Sequence, residues 1–296
     1  MKPELPAILA DHLAAVLRGM RRRYRRRLAR CQSRFSEDAI HELRIETRRM
    51  LAMLDLLRAL GIGATLKKTR RVYKARLDAF DELRDTHVQL LLLNPRWRDF
   101  PEARTLEFRL RQREKRLTDE LRRVIRRMKQ VRLERRLKAL GKELRKSARA
   151  DSPAGANPAA TALQEIFAAV LDLHRQVHRR DPETIHRLRV AFKRFRYLSE
   201  LLQPLFPRLT NKRLRRMQAY QTLMGDIQDL EVLLAGLARA VEEGELPAAA
   251  GRRLRADLRR CRWSAIANFL TAIDELLKFT PDKWIGLQPG QSDQRL

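Results

Sequence analysis

Residues 181–206 read DPETIHRLRVAFKRFRYLSELLQPLF, and residues 36–60 read SEDAIHELRIETRRMLAMLDLLRAL. Overlaid at an offset of 145, Ser36 falls on Asp181, Ile40 on Ile185, His41 on His186, Leu43 on Leu188 and Arg44 on Arg189. The match continues with Arg48 on Lys193, Arg49 on Arg194 and Asp55 on Glu200. A histidine, an arginine three residues on and a cation seven residues on thus recur within the same apolar frame. This is an internal duplication, and it decides where to look for both fold and function.

A helical period of about 100° per residue gives the repeat its physical content. With His186 at zero, Arg189 lies near 300°, Lys193 near 340° and Arg196 near 280°, while Ile185, Leu188, Phe192, Phe195 and Leu202 fill roughly 160–260°. The cations form one stripe along the edge of the buried face, so they should line a groove between helices. His41, Arg44 and Arg48 stand in the same relation to Ile40, Leu43, Met50, Leu54 and Leu57. Ser36 and Asp181 are good N-cap residues and Pro182 suits the first helical position, which puts each histidine just inside a helix start. Helix starts favour negative charge.

The chain has 296 residues, 44% of them hydrophobic, enough to bury a real core, and a formal net charge of +29. Residues 1–150 carry 42 Lys+Arg against 19 Asp+Glu, and residues 151–296 carry 23 against 17. Self-repulsion on this scale points to a polyanionic, phosphate-rich partner. Cys31 and Cys261 offer neither a disulfide framework nor a thiolate metal site. No apolar run approaches the ~18 residues of a membrane span, and nothing resembles a secretory signal. A soluble, cytoplasmic protein is expected.

Turn and cap signals divide the sequence into helices with almost nothing that reads as strand. Helices are expected at about 7–31, 37–60 and 65–93, followed by a long basic helix over about 102–148 or a pair broken near Met128 to Gln130. DSPAGANP, residues 151–158, reads as a linker. The second half repeats the plan at about 159–180, 182–203, 208–243 and 248–278, and residues 281–296 read as a tail. The expectation is an all-α protein of two four-helix units, 1–150 and 159–280, related by pseudo-two-fold symmetry, with the stripes facing a basic central groove or channel. A second repeat supports this. FDELRDTHV (80–88) overlays MGDIQDLEV (224–232) at an offset of 144, matching Asp85 to Asp229 and, upstream, Lys68 to Lys212 and Arg71 to Arg215.

The doubled I-H-x-L-R motif, the helical composition and the Asp-containing third helix resemble the CHAD family, the conserved-histidine α-helical domain, over nearly the whole chain. The resemblance implies a two-lobed helical domain that binds inorganic polyphosphate in a basic channel, without catalysis of its own in stand-alone members and without a cofactor. A polyphosphate granule is one cellular destination consistent with it. The family also occurs joined to triphosphate-hydrolysing tunnel domains, but no strand-rich segment remains here to form one. The family's first motif usually continues to a basic residue ten positions after the histidine. Here that position is Leu51, whereas the second copy keeps Arg196, so the first stripe is shorter.

The residues themselves lead to the same class of ligand. A linear phosphate chain has repeating charge and no base edges, and a row of guanidinium, ammonium and imidazole donors suits it. The candidate binding residues are His41, Arg44, Arg48, Arg49, Lys68, Arg71, His186, Arg189, Lys193, Arg194, Arg196, Lys212 and Arg215. Scattered groups such as Arg122, Arg123, Arg126 and Arg127 read as a solvated helix face. Nonspecific nucleic-acid binding explains the charge equally well, but there is no helix-turn-helix spacing, zinc finger or RNP-like aromatic strand, and aromatic residues make up only 6%. A histidine-dependent phosphotransferase is a more distant alternative, since no nucleophile with its base is evident. His174 and His178 at i and i+4 would form a metal pair only with further ligands. Asp55, Asp85, Asp229 and Glu200 read as partners that orient arginines.

Overall fold

The Ser36 hydroxyl accepts the Ala39 N–H at 3.3 Å, and the Asp181 carboxylate accepts the Glu183 N–H at 3.1 Å, so both histidine helices begin where their capping residues place them. The computed structural model describes residues 5–285 apart from 64–65, 97, 101 and 150–156. In chain order the elements are β1 (Leu5–Pro6), α1 (Ala7–Ser33), α2 (Glu37–Ala59), α3 (Leu66–Asp78), α4 (Asp81–Leu93), α5 (Glu102–Arg126), α6 (Val131–Lys146) and β2 (Ala148–Arg149). They continue with α7 (Pro158–Arg175), α8 (Pro182–Leu202), α9 (Asn211–Glu242) and α10 (Ala248–Thr271), with short 3-10 turns between and after the helices. The fold is all-α. The two strands are a two-residue parallel pairing, Leu5 opposite Ala148 and Pro6 opposite Arg149.

The first half holds six helices among the described residues where four segments, the last of them whole or as a pair, were expected. The third expected helix breaks between Asp78 and Asp81, where Phe80 turns into the core and is 1% exposed. Asp81 and Glu82 then occupy the first turn of α4, where the helix dipole favours carboxylates. Its counterpart α9 runs unbroken. The fourth expected helix breaks at 127–130, one of its two expected forms. Gln32 Nε2 donates to the Ile125 and Met128 carbonyls at 3.0 and 3.2 Å, and Arg76 Nη2 donates to the Lys129 carbonyl at 2.7 Å, so three carbonyls at the break find donors from other helices. The α2–α3 connection turns through Gly61 and Gly63, both at positive φ.

Packing joins the halves. α2 lies against α8 and α4 against α9, in addition to the neighbouring pairs α1/α2, α1/α6, α7/α8, α8/α9 and α9/α10. One apolar cluster combines Leu13, Leu17, Leu43 and Met53 of the first half with Leu163, Phe192, Phe195 and Trp284 of the second. A smaller one combines Leu93 and Leu106 with Leu233, Leu237, Leu254 and Leu258. Neither cluster belongs to one half. The helices of the second cluster come close at Gly236, where a Cβ would lie 2.7 Å from Gln89 Oε1.

Residues 281–285, expected to open a tail, are packed instead. Trp284 is fully buried, with its ring edge-on to Phe206 at 5.5 Å and its Nε1 donating to the Phe279 carbonyl at 3.3 Å. Residues 286–296 and most of the expected linker, 151–156, lie outside the described residues, while Asn157 and Pro158 form the cap and first turn of α7. That helix ends at Arg175, so His174 and His178 do not share a helix face. Among the described residues no three His, Cys, Asp or Glu groups are placed to hold a metal ion, and no helix is long and apolar enough to cross a membrane.

Candidate functional site

The contact of α2 with α8 brings the two copies of the repeat together. Arg44 and Arg48 come from α2, and Arg189 and Lys193, one turn apart, come from α8. Burial pushes the Lys193 ammonium down to about 7, and Arg48, Arg189, Arg84 and Arg44 act in the same direction. Arg44, 8% exposed, is brought down to about 10 by burial and then by Arg48 and Arg84, against the pull of Asp81 and Asp85. Burial and then Arg84 also lower Arg189, opposed by Asp229. Five cations from three helices thus act on one another.

Part of the hydrogen-bonding capacity of Arg44, Arg48 and Arg189 is unused. The Nε atoms of Arg44, Arg48 and Arg189, together with Arg44 Nη2, are buried and have no hydrogen-bond partner. Arg44 Nη2 comes no closer than 3.9 Å to Asp81 Oδ1. Arg48, Arg189 and Lys193 have no ion pair among the described residues. Like charges with empty donors in a poorly hydrated setting are unfavourable. A multivalent oxyanion relieves both problems, because it supplies negative charge and several acceptors together.

Arg84, from α4, is the member that repetition does not reveal. It donates to Asp85 at 3.1 Å and to Asp229 of α9 at 2.6 Å. Burial alone would lower its pKa, but the two carboxylates outweigh burial and raise it. Its repeat counterpart is Gln228, whose Oε1 instead meets His186 Nδ1. The available signal was its place inside FDELRDTHV, beside the matched Asp85.

The other sequence candidates are distributed differently. His41 is exposed and without a partner among the described residues. Arg196 is 7% exposed and held by Glu200, by Gln221 at 2.9 Å and over the Tyr197 ring at 4.5 Å. Arg49 is exposed with its guanidinium 3.8 Å from Glu46, and Arg194 is exposed. Lys68 and Arg71 of α3 and Lys212 and Arg215 of α9 are exposed cations with no ion pair among the described residues. The acidic residues orient arginines: Asp85 and Asp229 hold Arg84, Glu200 holds Arg196, and Asp55 receives Arg70 Nε at 2.6 Å.

A family model described as the CHAD domain matches residues 7–238. The chain belongs to the CHAD family. A solved structure, the CHAD domain from the plant Ricinus communis, aligns with a TM-score of 0.70 at 19% identity over 94% of each chain, which establishes a shared fold. No match to a curated protein was found. In this CHAD chain the position ten residues after the first histidine is Leu51, which packs against the core, and its counterpart Arg196 is already paired. Neither position contributes a free cation, so the open donors gather three to seven residues after each histidine.

Proposed function

We propose that this CHAD chain binds inorganic polyphosphate as a non-catalytic receptor. Arg44, Arg48, Arg189 and Lys193 form the centre of the site, in a channel between the two copies of the repeat. The observation that carries the reading is the set of buried, unpartnered guanidinium N–H atoms gathered around Lys193. Phosphate oxygens recurring along a chain can occupy these donors in succession, and exposed cations such as Lys68, Arg71, Lys212 and Arg215 extend the favourable field outward. A reader of mixed base edges would need acceptors and aromatic platforms beside its donors, whereas these four groups offer donors alone. Binding of this kind would place the protein wherever polyphosphate accumulates, granules included.

The test compares two double variants that each remove two basic side chains. Arg189→Ala with Lys193→Ala should weaken binding of long-chain polyphosphate by roughly a hundredfold or more, since two charge-assisted contacts are lost. Arg126→Ala with Arg127→Ala, on an exposed surface, should change it only a fewfold. Equal losses from two folded variants would reduce the site to diffuse basic charge. In competition at matched phosphate and salt, polyphosphate should displace duplex DNA, and preferential retention of DNA would favour the nucleic-acid reading.

A further inference from the structure

The site contains an amine as well as guanidiniums. Arginine is inert to acyl transfer, and an ordinary lysine is protected by its proton. Lys193 is set apart by its surroundings: it is half-buried on α8 where that helix packs on α2, follows Arg189 by one turn, feels the charges of Arg44, Arg48 and Arg84, shares its neighbourhood with the buried, unpartnered Nε atoms of Arg44, Arg48 and Arg189, and has no ion pair among the described residues. Asp85 and Asp229, the nearby carboxylates on α4 and α9, are both bound to Arg84.

We propose that Lys193 is a self-acylation site for acyl phosphates, small mixed anhydrides of a carboxylic acid and phosphoric acid. Resting on the anion-binding reading above, the inference is that Arg44, Arg48 and Arg189 hold the phosphoryl group and present the acyl carbon to Nζ of Lys193. The Nζ lone pair forms the new N–C bond. The acyl carbon's bond to the bridging oxygen breaks, and the proton displaced from the amine ends on the departing phosphate, which leaves as hydrogen phosphate. The product is an amide, and no oxidant or reductant is involved. The guanidiniums serve the reaction twice, by recruiting the anion and by stabilising the phosphate that departs. The same cations also keep the amine reactive. With a pKa of about 7, about half of Lys193 carries a free lone pair near pH 7 in the ligand-free protein, against roughly one in three thousand for an ordinary lysine. Acylation removes a charge and fills the site, so it closes the receptor to polyphosphate in proportion to the supply of activated acyl groups.

Acetyl phosphate is the probe, with residue-by-residue mass spectrometry on the intact chain. Lys193 should be acetylated at least roughly tenfold faster than the exposed Lys67, Lys68, Lys138, Lys142 and Lys212. Inorganic phosphate and long-chain polyphosphate should slow Lys193 selectively. At subsaturating acetyl phosphate, where the free protein's ionisation governs the rate, labelling of Lys193 should level off above about pH 7 while the exposed lysines continue to accelerate toward about pH 10. The acetylated protein should bind polyphosphate at least tenfold more weakly. An uncharged acetyl succinimidyl ester, which carries no anion, should give Lys193 a much smaller advantage than acetyl phosphate does. Labelling of Lys193 no faster than the exposed lysines overturns the inference, and so does an equal advantage with the uncharged ester. Direct titration of unmodified protein with polyphosphate separates the two claims: tight, Arg189-dependent binding without selective acetylation leaves the receptor standing and removes only the acylation site.

Discussion

Replacing Lys193 by Met keeps the side chain's length and removes its charge, and the ligand-free protein should become more stable. The fall from an ordinary 10.5 to about 7 corresponds to on the order of 5 kcal/mol between the charged and neutral forms. Relaxation and water penetration reduce such penalties in practice, leaving an expected gain of roughly 1–3 kcal/mol near pH 6.5. A lysine whose pKa is lowered by folding opposes folding fully where both states are charged, below about 7, and not at all where both are neutral, above 10.5. The advantage of Lys193→Met should therefore be complete at about pH 6.5, shrink as pH rises through the interval, and disappear near its upper end. Urea titrations followed by circular dichroism across this range measure it. With saturating long-chain polyphosphate the order should reverse, because ligand stabilises whichever form binds it more tightly. Equal stability at about pH 6.5, or a less stable variant, would refute the claim that Lys193 is held among unrelieved like charges.

At Gly63, φ is +111° and a Cβ would approach Leu66 and Leu140 side-chain atoms to 2.6–2.9 Å; Gly63→Ala should lower stability by about 1–3 kcal/mol. An unchanged urea midpoint would mean the turn relaxes freely. Asp229→Asn removes the carboxylate that holds Arg84 across α4 and α9, so it should cost about 1–3 kcal/mol of stability while tightening polyphosphate binding severalfold in titrations at matched salt. Weaker binding would show that Asp229 serves mainly to aim Arg84. Bound phosphate should return a proton to Lys193, so affinity for long chains should fall as pH rises above about 7. This slope should persist in the His41→Gln, His186→Gln double variant and vanish in Lys193→Met; loss in the histidine variant instead would assign the titration to the imidazoles.

The repeat makes α2 and α8 readable because each carries a capping residue, an apolar stripe and cations at fixed helical angles, all local properties. Arg44, Arg48, Arg189 and Lys193 follow from that stripe. Arg84 does not, because its counterpart is Gln228 and a search for matching cations passes over it. The α3–α4 break carries no proline or glycine; it comes from the burial of Phe80 among distant partners. Arg196 looks like Lys193 in sequence, yet Glu200 one turn later takes it out of play. The histidines differ for a related reason: Gln228 faces His186, while His41 is left without a partner. Tertiary neighbours decide which cations of a stripe stay open, and helical phase alone does not name those neighbours.

The shared cores have a consequence for anyone recombining CHAD chains. The stretch 150–156 joins the two repeats and is the natural crossover point for a chimaera, yet a graft made there would divide both apolar clusters between parents. It would also divide the Arg84–Asp229 pair. Each parental half would arrive with side chains fitted to an absent neighbour, so library members crossed at this seam should fold less often than either parent. In breeding terms, the two repeats are linked traits, inherited together although they were once copies of a single sequence.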